Sequence, residues 1–310
     1  MRATKFRDDG KIRALFWMVA VFCLLTTSGY AGDLAEIRRR GVLRHLGIPN
    51  AHFVRDTAKG PDGLDVELMQ RFAAHLGVEY QWVQTSWSEV FGDLTGQKVQ
   101  PTKDKGVEVI GETAVRGDII ANGLTILDWR MQVVQFSKPT FPTGVWLIAR
   151  ADSPIKPIEP SGDIETDIHR VKNLLAGRSV LTMAGTCLDP RLYGLASTQA
   201  EIRYHTASEN LNEITPAIIN GAAEATLLDV PDALVALQAW PGDIKIIGPV
   251  STNQFMGAAV AKSSPELLAA FNRFFQELRS SGTYDELVKK YYPFVYLYLG
   301  DFFKPEKGEQ

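Results

Sequence analysis

The segment Asn122–Arg130, NGLTILDWR, sets a threonine, an aspartate and an arginine within six residues of one another, just after a turn. Asn-Gly is a strong turn signal, and the apolar run before it, Asp118 to Ala121, reads as the end of a strand. An arginine delivered there has a clear chemical use. Its planar guanidinium can give two parallel, charge-assisted hydrogen bonds to a carboxylate. The structural alternative is a surface helix residue paired with Asp128.

Other chemistry is missing from the chain. It has no C-x-x-C, H-E-x-x-H or G-x-S-x-G, no P-loop and no G-x-G-x-x-G. The five histidines, His45, His52, His75, His169 and His205, show no metal-ligand spacing, so neither metal nor cofactor is expected. The common hydrolases, kinases and dehydrogenases are thereby disfavoured.

The 310 residues are 45% apolar and 22% charged, which suits a globular chain of about two domains. The start differs from the rest. Arg2, Lys5, Arg7, Lys11 and Arg13 precede an uninterrupted apolar run of 12 residues, Ala14–Leu25, and then the small residues Gly29 and Ala31. This pattern reads as a secretory signal peptide cleaved after Ala31, placing the mature chain in the periplasm. The alternative is an uncleaved anchor. Removing residues 1–31 takes away five of the 33 basic and two of the 36 acidic side chains, leaving 28 against 34. Such an acidic chain without basic clusters is not expected to bind nucleic acid. Only Cys187 of the two cysteines survives cleavage, so no internal disulfide can form.

Two α/β units must position Arg130. LAEIRRR reads as a helix ended by Gly41, followed by a strand over residues 42–48. GLDVELMQRFAAHLG reads as a helix with Val66, Met69, Phe72, Ala73 and Leu76 on one face, and VEYQWV as the next strand. This strand–helix–strand start implies a largely parallel sheet. Asp93–Arg116 lacks a clear period and reads as an elaborated loop with a small hairpin around VEVIGE. A proline-rich stretch, ADSPIKPIEPSGD, precedes the second α/β pattern. Ser264 and Pro265 then open a helix whose Leu267, Leu268, Phe271, Phe274, Phe275 and Leu278 form a core stripe. The cleft between two such units is the default ligand site.

The ordered set GVLRHLGIP, GLDVELMQRFAAHLGVEYQWV, GDIIANGLTILDWRMQVVQFSKPTF, GRSVLTMAGT, GAAEATLLDVPDAL and the segment from Gly257 to Tyr292 resembles the periplasmic solute-binding proteins of the polar amino-acid type. The resemblance covers nearly all of residues 34–292. It implies a two-lobed type II periplasmic binding protein fold, with mixed sheets flanked by helices. Lobe 1 would be residues 33–149 plus 250–310 and lobe 2 residues 153–248, with hinges near 150–152 and 249. It also implies a monomeric, non-enzymatic receptor that captures a small carboxylate-bearing, amino-acid-like solute and delivers it to an ABC importer.

The same resemblance assigns site residues. Arg130 would clamp the ligand α-carboxylate. Gly123 and Thr125 would supply backbone and hydroxyl contacts. Gly185 and Thr186 would form an anion-attracting turn at a helix N-terminus, with a plain turn as the alternative. Asp229, ending the strand ATLLD, would take the α-ammonium or else only cap the helix starting at Pro231. Phe53 is expected to keep one aromatic wall, His52 or Asn50 to add polarity, and Trp87 to lie in either core or cleft. Cys187, beside Thr186, is expected to be inert filler, its alternative being a thiol activated at the helix N-terminus. Two rival readings are kept. One is a dehydratase-like enzyme using His52 or Glu89 as acid or base. The other is an accessory or sensory partner protein, motivated by the aromatic tail Tyr291–Phe303.

Overall fold

The computed structural model describes residues 32–102 and 106–304. The signal-peptide assignment lies outside these residues. No described helix is long and apolar enough to cross a membrane.

Two five-stranded sheets organise the chain. The first has the order Glu79–Gln84, Val42–Gly47, Ile119–Ile120, Ala259–Ala261, Val134–Phe136. The second has the order Glu201–Tyr204, Ser179–Thr182, Ala225–Asp229, Val145–Arg150, Ile244–Pro249. In each, the first three strands run parallel and the fourth is antiparallel to its neighbours. Helices supply the parallel crossovers, as the strand–helix–strand pattern requires. Gly41 and Gly77 end the helices Leu34–Arg40 and Leu64–Leu76 with φ of 76° and 72°, the left-handed conformation that glycine tolerates.

The first core is aromatic. Phe72 packs edge-on to Phe271 at 5.2 Å, and Phe275 meets Tyr284 at 4.8 Å. Leu267, Phe271, Phe274 and Phe275 of the helix Pro265–Ser280 are buried, while Leu268 and Leu278 pack at the margin. The expected hairpin around VEVIGE is present, Gln97–Pro101 pairing antiparallel with Val107–Glu112, and the helix Val90–Thr95 leads into it. Asp93 ties this insertion down, accepting from Thr85 Oγ1 at 2.6 Å and Arg116 Nη1 at 2.8 Å.

The expected lobe boundary moves. Val145–Arg150, placed in the first lobe by sequence, pairs on both sides within the second sheet. Just before it, Phe141–Thr143 pairs with Gln254–Met256. The two crossing segments therefore form one antiparallel ribbon that changes lobe near Gly144 and near 250–253, not at 150–152. The proline-rich stretch misled because it packs instead of linking: Ile155 is buried, and Ile158 N–H donates to Ile247 O at 3.0 Å.

The aromatic tail lies against this ribbon. It forms the helix Val295–Leu299 and a 3-10 turn, Gly300–Phe303. Tyr298 meets Trp146 at 5.4 Å, Phe302 meets Phe255 at 6.0 Å and Phe303 meets Phe141 at 5.7 Å.

Candidate ligand-binding site

Both sheets bring loops to their topological switch points, the crevices beyond the carboxyl ends of strands where the order reverses. In the first sheet that crevice lies between Val42–Gly47 and Ile119–Ile120. The loops leaving these strands meet there: Asn50 Nδ2 donates to the carbonyl of Asn122 at 3.2 Å. In the second sheet it lies between Ser179–Thr182 and Ala225–Asp229. There Cys187 Sγ donates to Asp229 Oδ2 at 2.9 Å.

The first-lobe loop is held by a local device written in GLDVEL. Gly63 has φ of 136°, and a Cβ there would lie 2.3 Å from the Phe53 carbonyl oxygen. That close approach lets Leu64 and Asp65 N–H bond the carbonyls of His52 and Phe53. Asp65 then reaches across to accept the Gly123 N–H at 2.7 Å. Burial pushes the Asp65 carboxyl up to about 7, against the pull of that N–H. Gly123 itself has φ of 68° and sits against the Phe53 ring. Its N–H is thus occupied within the lobe.

Arg130 follows on a single helical turn, Asp128–Met131, and is completely buried. It does not pair with Asp128 on a surface. Nη1 donates to the Thr125 carbonyl at 2.9 Å. The guanidinium lies 5.3 Å from the Trp87 ring, 5.4 Å from Trp129 and 5.9 Å from Phe91. Such cation–π contacts offset part of the loss of water. Burial still draws its pKa down, while Cys187, Asp229 and Tyr193, all on the second lobe, act in the opposite sense. Its Nε and Nη2 have no hydrogen-bond partner, and neither does the buried Thr125 Oγ1 or Trp87 Nε1. Orphan donors of this kind cost on the order of 1–3 kcal/mol each, and their concentration around one cation makes this the candidate site.

On the second lobe, Asp229 is fully buried and accepts from Thr143 Oγ1 at 3.4 Å as well as from Cys187. Burial raises its pKa to about 6, opposed by the Cys187 bond and by Arg130. Gly185 N–H donates to Asp189 Oδ2 at 3.0 Å, and Thr186 Oγ1 turns back to the Met183 carbonyl at 2.9 Å. The turn leads into 3-10 turns, not an α-helix. The expected helix N-terminus is therefore absent; Gly194, at φ of 63°, ends the first 3-10 turn after Tyr193. Cys187, one residue on, is the side chain that meets Asp229. Burial pushes its thiol pKa well up, with Asp229 adding to the effect, so the activated-thiol alternative fails. In the native protein Cys187 should resist iodoacetamide at pH 8 and react fully in denaturant. Rapid native labelling would show that the thiol is accessible and its environment wrongly assigned.

The remaining expected residues scatter. Phe53 is 1% exposed and packs on Tyr292 at 4.7 Å and Phe141 at 5.2 Å, a core position and not a cleft wall. The tight turn Asn50–Val54 points it inward. His52 Nδ1 bonds the Tyr291 carbonyl at 2.9 Å and lines a cavity of about 520 Å³ between the lobes with Asp232, Asn212 and Trp240. A second cavity, of about 310 Å³, is lined by Trp129, Gly185, Thr186, Tyr193 and Gln254. Glu89 is exposed and accepts from Ser86. Among the described residues, hydrogen bonds from loop to loop across the lobes include Ala51 N–H to Asn212 Oδ1 at 2.8 Å and Ser88 N–H to Glu209 Oε2 at 2.9 Å.

Against known families, the model of the bacterial extracellular solute-binding proteins, family 3, matches residues 46–101 and 111–294. The chain belongs to this family. The match omits residues 102–110, between its two parts. The arginine-binding ArgBP from T. maritima, in its P235GK mutant, superposes with a TM-score of 0.65 at 26% identity, over 84% of this chain and 99% of that one. The ancestral amino acid-binding protein AncCDT-1, a precursor of cyclohexadienyl dehydratase, gives 0.63 at 25% identity, over 84% and 98%. In sequence, the lysine/arginine/ornithine-binding periplasmic protein of Escherichia coli K12 is 26% identical over 79% of this chain and 84% of its own. The membrane-bound lytic murein transglycosylase F of Desulfosudis oleivorans is 28% identical over 85% of this chain but 51% of its own. The chain thus spans about half the length of that relative.

As a family 3 solute-binding protein, the chain carries site features that its sequence did not advertise. Asn122 reads as a turn residue, yet it is wholly buried with both side-chain amide atoms unpaired. Its only sequence signal is an amide at the end of a strand, beside glycine. Trp129 and Phe91 gave no sign that they cage Arg130, since aromatic residues in an α/β pattern ordinarily read as core.

Proposed function

We propose that this family 3 protein is an exported receptor for a small zwitterionic solute, an α-amino acid or close analogue, closed between two lobes. Arg130 takes the carboxylate and Asp229 the ammonium. The supporting observation is the buried guanidinium whose Nε and Nη2 lack partners while Asp229 acts on it from the other lobe. A carboxylate satisfies both free nitrogens in one bidentate contact. Closure excludes water, which strengthens both ion pairs, and the ribbon near Gly144 and 250–253 gives a hinge that moves without unfolding either lobe. The closed form then delivers the solute to an ABC importer. A thermal-shift screen of residues 32–310, refolded to remove carried ligand, tests this. A ligand at about 100 times its Kd stabilises by about 2.7 kcal/mol. No shift from any carboxylate-bearing compound would overturn the reading.

The pH dependence follows from Asp229. Its folded pKa is raised to about 6, so below that pH the unliganded protein holds a proton that an ammonium ligand must displace. Affinity should be flat above about pH 6 and weaken by about tenfold per unit below it. Calorimetry at pH 5 and pH 8 reads this directly, and Asp229→Asn should abolish the slope. An affinity that strengthens on acidification would remove Asp229 from the ammonium role.

The match to half of a transglycosylase favours a second reading, a receptor module that reports solute to a partner enzyme. A permease complex recovered by crosslinking supports the importer. Stimulation of a separate cell-wall hydrolase, with no permease captured, supports the module.

A further inference from the structure

We infer that the aromatic tail, residues 295–303, is a clasp behind the hinge that holds the two lobes together independently of solute. The inference rests on the hinge reading above and concerns how freely that hinge moves.

The tail is built onto the first lobe. Val295 is fully buried. Tyr296 O–H donates to the carbonyl and the carboxylate of Asp285, on the helix Thr283–Tyr291. Phe303 packs on Tyr296 at 4.8 Å. Arg279, on the helix Pro265–Ser280, donates from Nη2 to the Phe302 carbonyl at 3.0 Å and lies 4.9 Å from the Phe302 ring. So anchored, the tail reaches over the crossing ribbon, where Phe302 meets Phe255 and Phe303 meets Phe141. Tyr298 goes one step further. Its partner Trp146 stands two residues past Gly144 and pairs inside the second sheet. Successive side chains of a strand point to opposite faces. Gln254 lines the cavity beside Trp129 and Thr186, so Phe255 and the tail on it lie on the far side of the ribbon from the site.

A hinge turning near Gly144 and 250–253 carries Trp146 with the second lobe and leaves Tyr298 with the first. The two rings are already in contact, edge to face at 71° between planes, the arrangement that aromatic pairs favour. Rotation one way parts them and loses the contact. Rotation the other way drives them into overlap, which close-packed side chains do not absorb. The seam beside them is apolar as well. Val230 and Leu234, of the second-lobe helix Val230–Ala239, share one buried cluster with Tyr292 and Val295. Leaving this arrangement therefore costs contacts behind the hinge that a solute in the cleft does not make. Such a clasp keeps the open form a minor state, and solute meets a largely preformed site.

The test measures the lobes directly, with no solute added. Ala58, in the turn between Arg55–Thr57 and Gly60–Asp62, and Ala207, two residues from Glu209, are exposed, one on each lobe. Both are changed to cysteine and spin-labelled, and double electron–electron resonance gives the distribution of separations. The otherwise unchanged protein should show one dominant short separation. Tyr298→Ala should raise the population at longer separations roughly threefold or more, as loss of one aromatic pair implies. Tyr298→Phe keeps the ring and should match the parent. Tyr298 is half exposed, so its truncation leaves the fold intact, which circular dichroism checks. Asn212→Ala combined with Glu209→Ala is a control that does not involve the tail. It removes the bonds from Ala51 and Ser88 and should also lengthen the separation. Lengthening in that control with none in Tyr298→Ala overturns the clasp and spares the hinge. A parent distribution dominated by long separations overturns the clasp too. One unchanging separation in every variant means that the lobes do not part, and the hinge reading then fails and takes the clasp with it.

Discussion

Arg130→Ala should weaken ligand binding by about 2–5 kcal/mol, because it strands a buried carboxylate on closure. The guanidinium is wholly enclosed, and its free Nε and Nη2 match a carboxylate's two oxygens. The same geometry makes a second, less intuitive forecast. Without ligand, Arg130 is a buried cation with two of its three nitrogens unsatisfied, held by one carbonyl and three rings. Replacing buried ionic groups by apolar side chains of similar volume is often neutral or stabilising by about 1–4 kcal/mol. Arg130→Met should therefore leave the unliganded melting temperature equal or higher while abolishing the ligand-induced shift. An affinity change below about fivefold, or about 1 kcal/mol, would remove Arg130 from the clamp role. A large fall in the unliganded melting temperature of Arg130→Met would show that the arginine serves the fold.

Gly63→Ala should be the most damaging small substitution near the site. The new methyl would meet the Phe53 carbonyl oxygen at 2.3 Å and carbon at 2.7 Å, both backbone atoms that cannot swing aside. The φ of 136° adds strain for any side chain. Relief requires moving the turn at residues 50–54 or the start of the helix Leu64–Leu76. Either shift lengthens the Leu64–His52 and Asp65–Phe53 bonds and disturbs the Asp65 contact that holds Gly123. A loss of about 3 kcal/mol or more is expected, lowering the melting temperature by roughly 6–12 °C at about 2–4 °C per kcal/mol. Gly60→Ala is the control. It too has positive φ, at 104°, but its Cβ would meet nothing within 4 Å. Equal losses in the two variants would mean that backbone strain, and not the close approach to Phe53, governs both.

These two residues show how unevenly the chain reveals itself. The apolar face of Leu64–Leu76, the glycines that end it and the stripe on Pro265–Ser280 follow from periodicity and capping, which act within a few residues. Arg130 was visible because charge after a strand and turn is unusual in a buried pattern. Asp229 was visible because it ends an apolar strand. The lobe boundary was not, since proline content near 151–163 marks an irregular chain whether it links lobes or packs on one. Only the pairing of Val145–Arg150 inside the second sheet decided that.

Sequence alone thus determined the family's fold class and the α/β units, and it singled out Arg130 as a candidate, because hydrophobic period, helix caps and turn residues are local and additive. Tertiary structure decided the rest. It moved Phe53 from cleft to core, turned Thr186 back on its own loop, set Cys187 against Asp229, and left the amides of Asn50 and Asn122 unpaired. Each outcome depends on which side chains from distant strands converge at a switch point. A buried polar group also declares a function only when its partners, or their absence, can be counted in three dimensions.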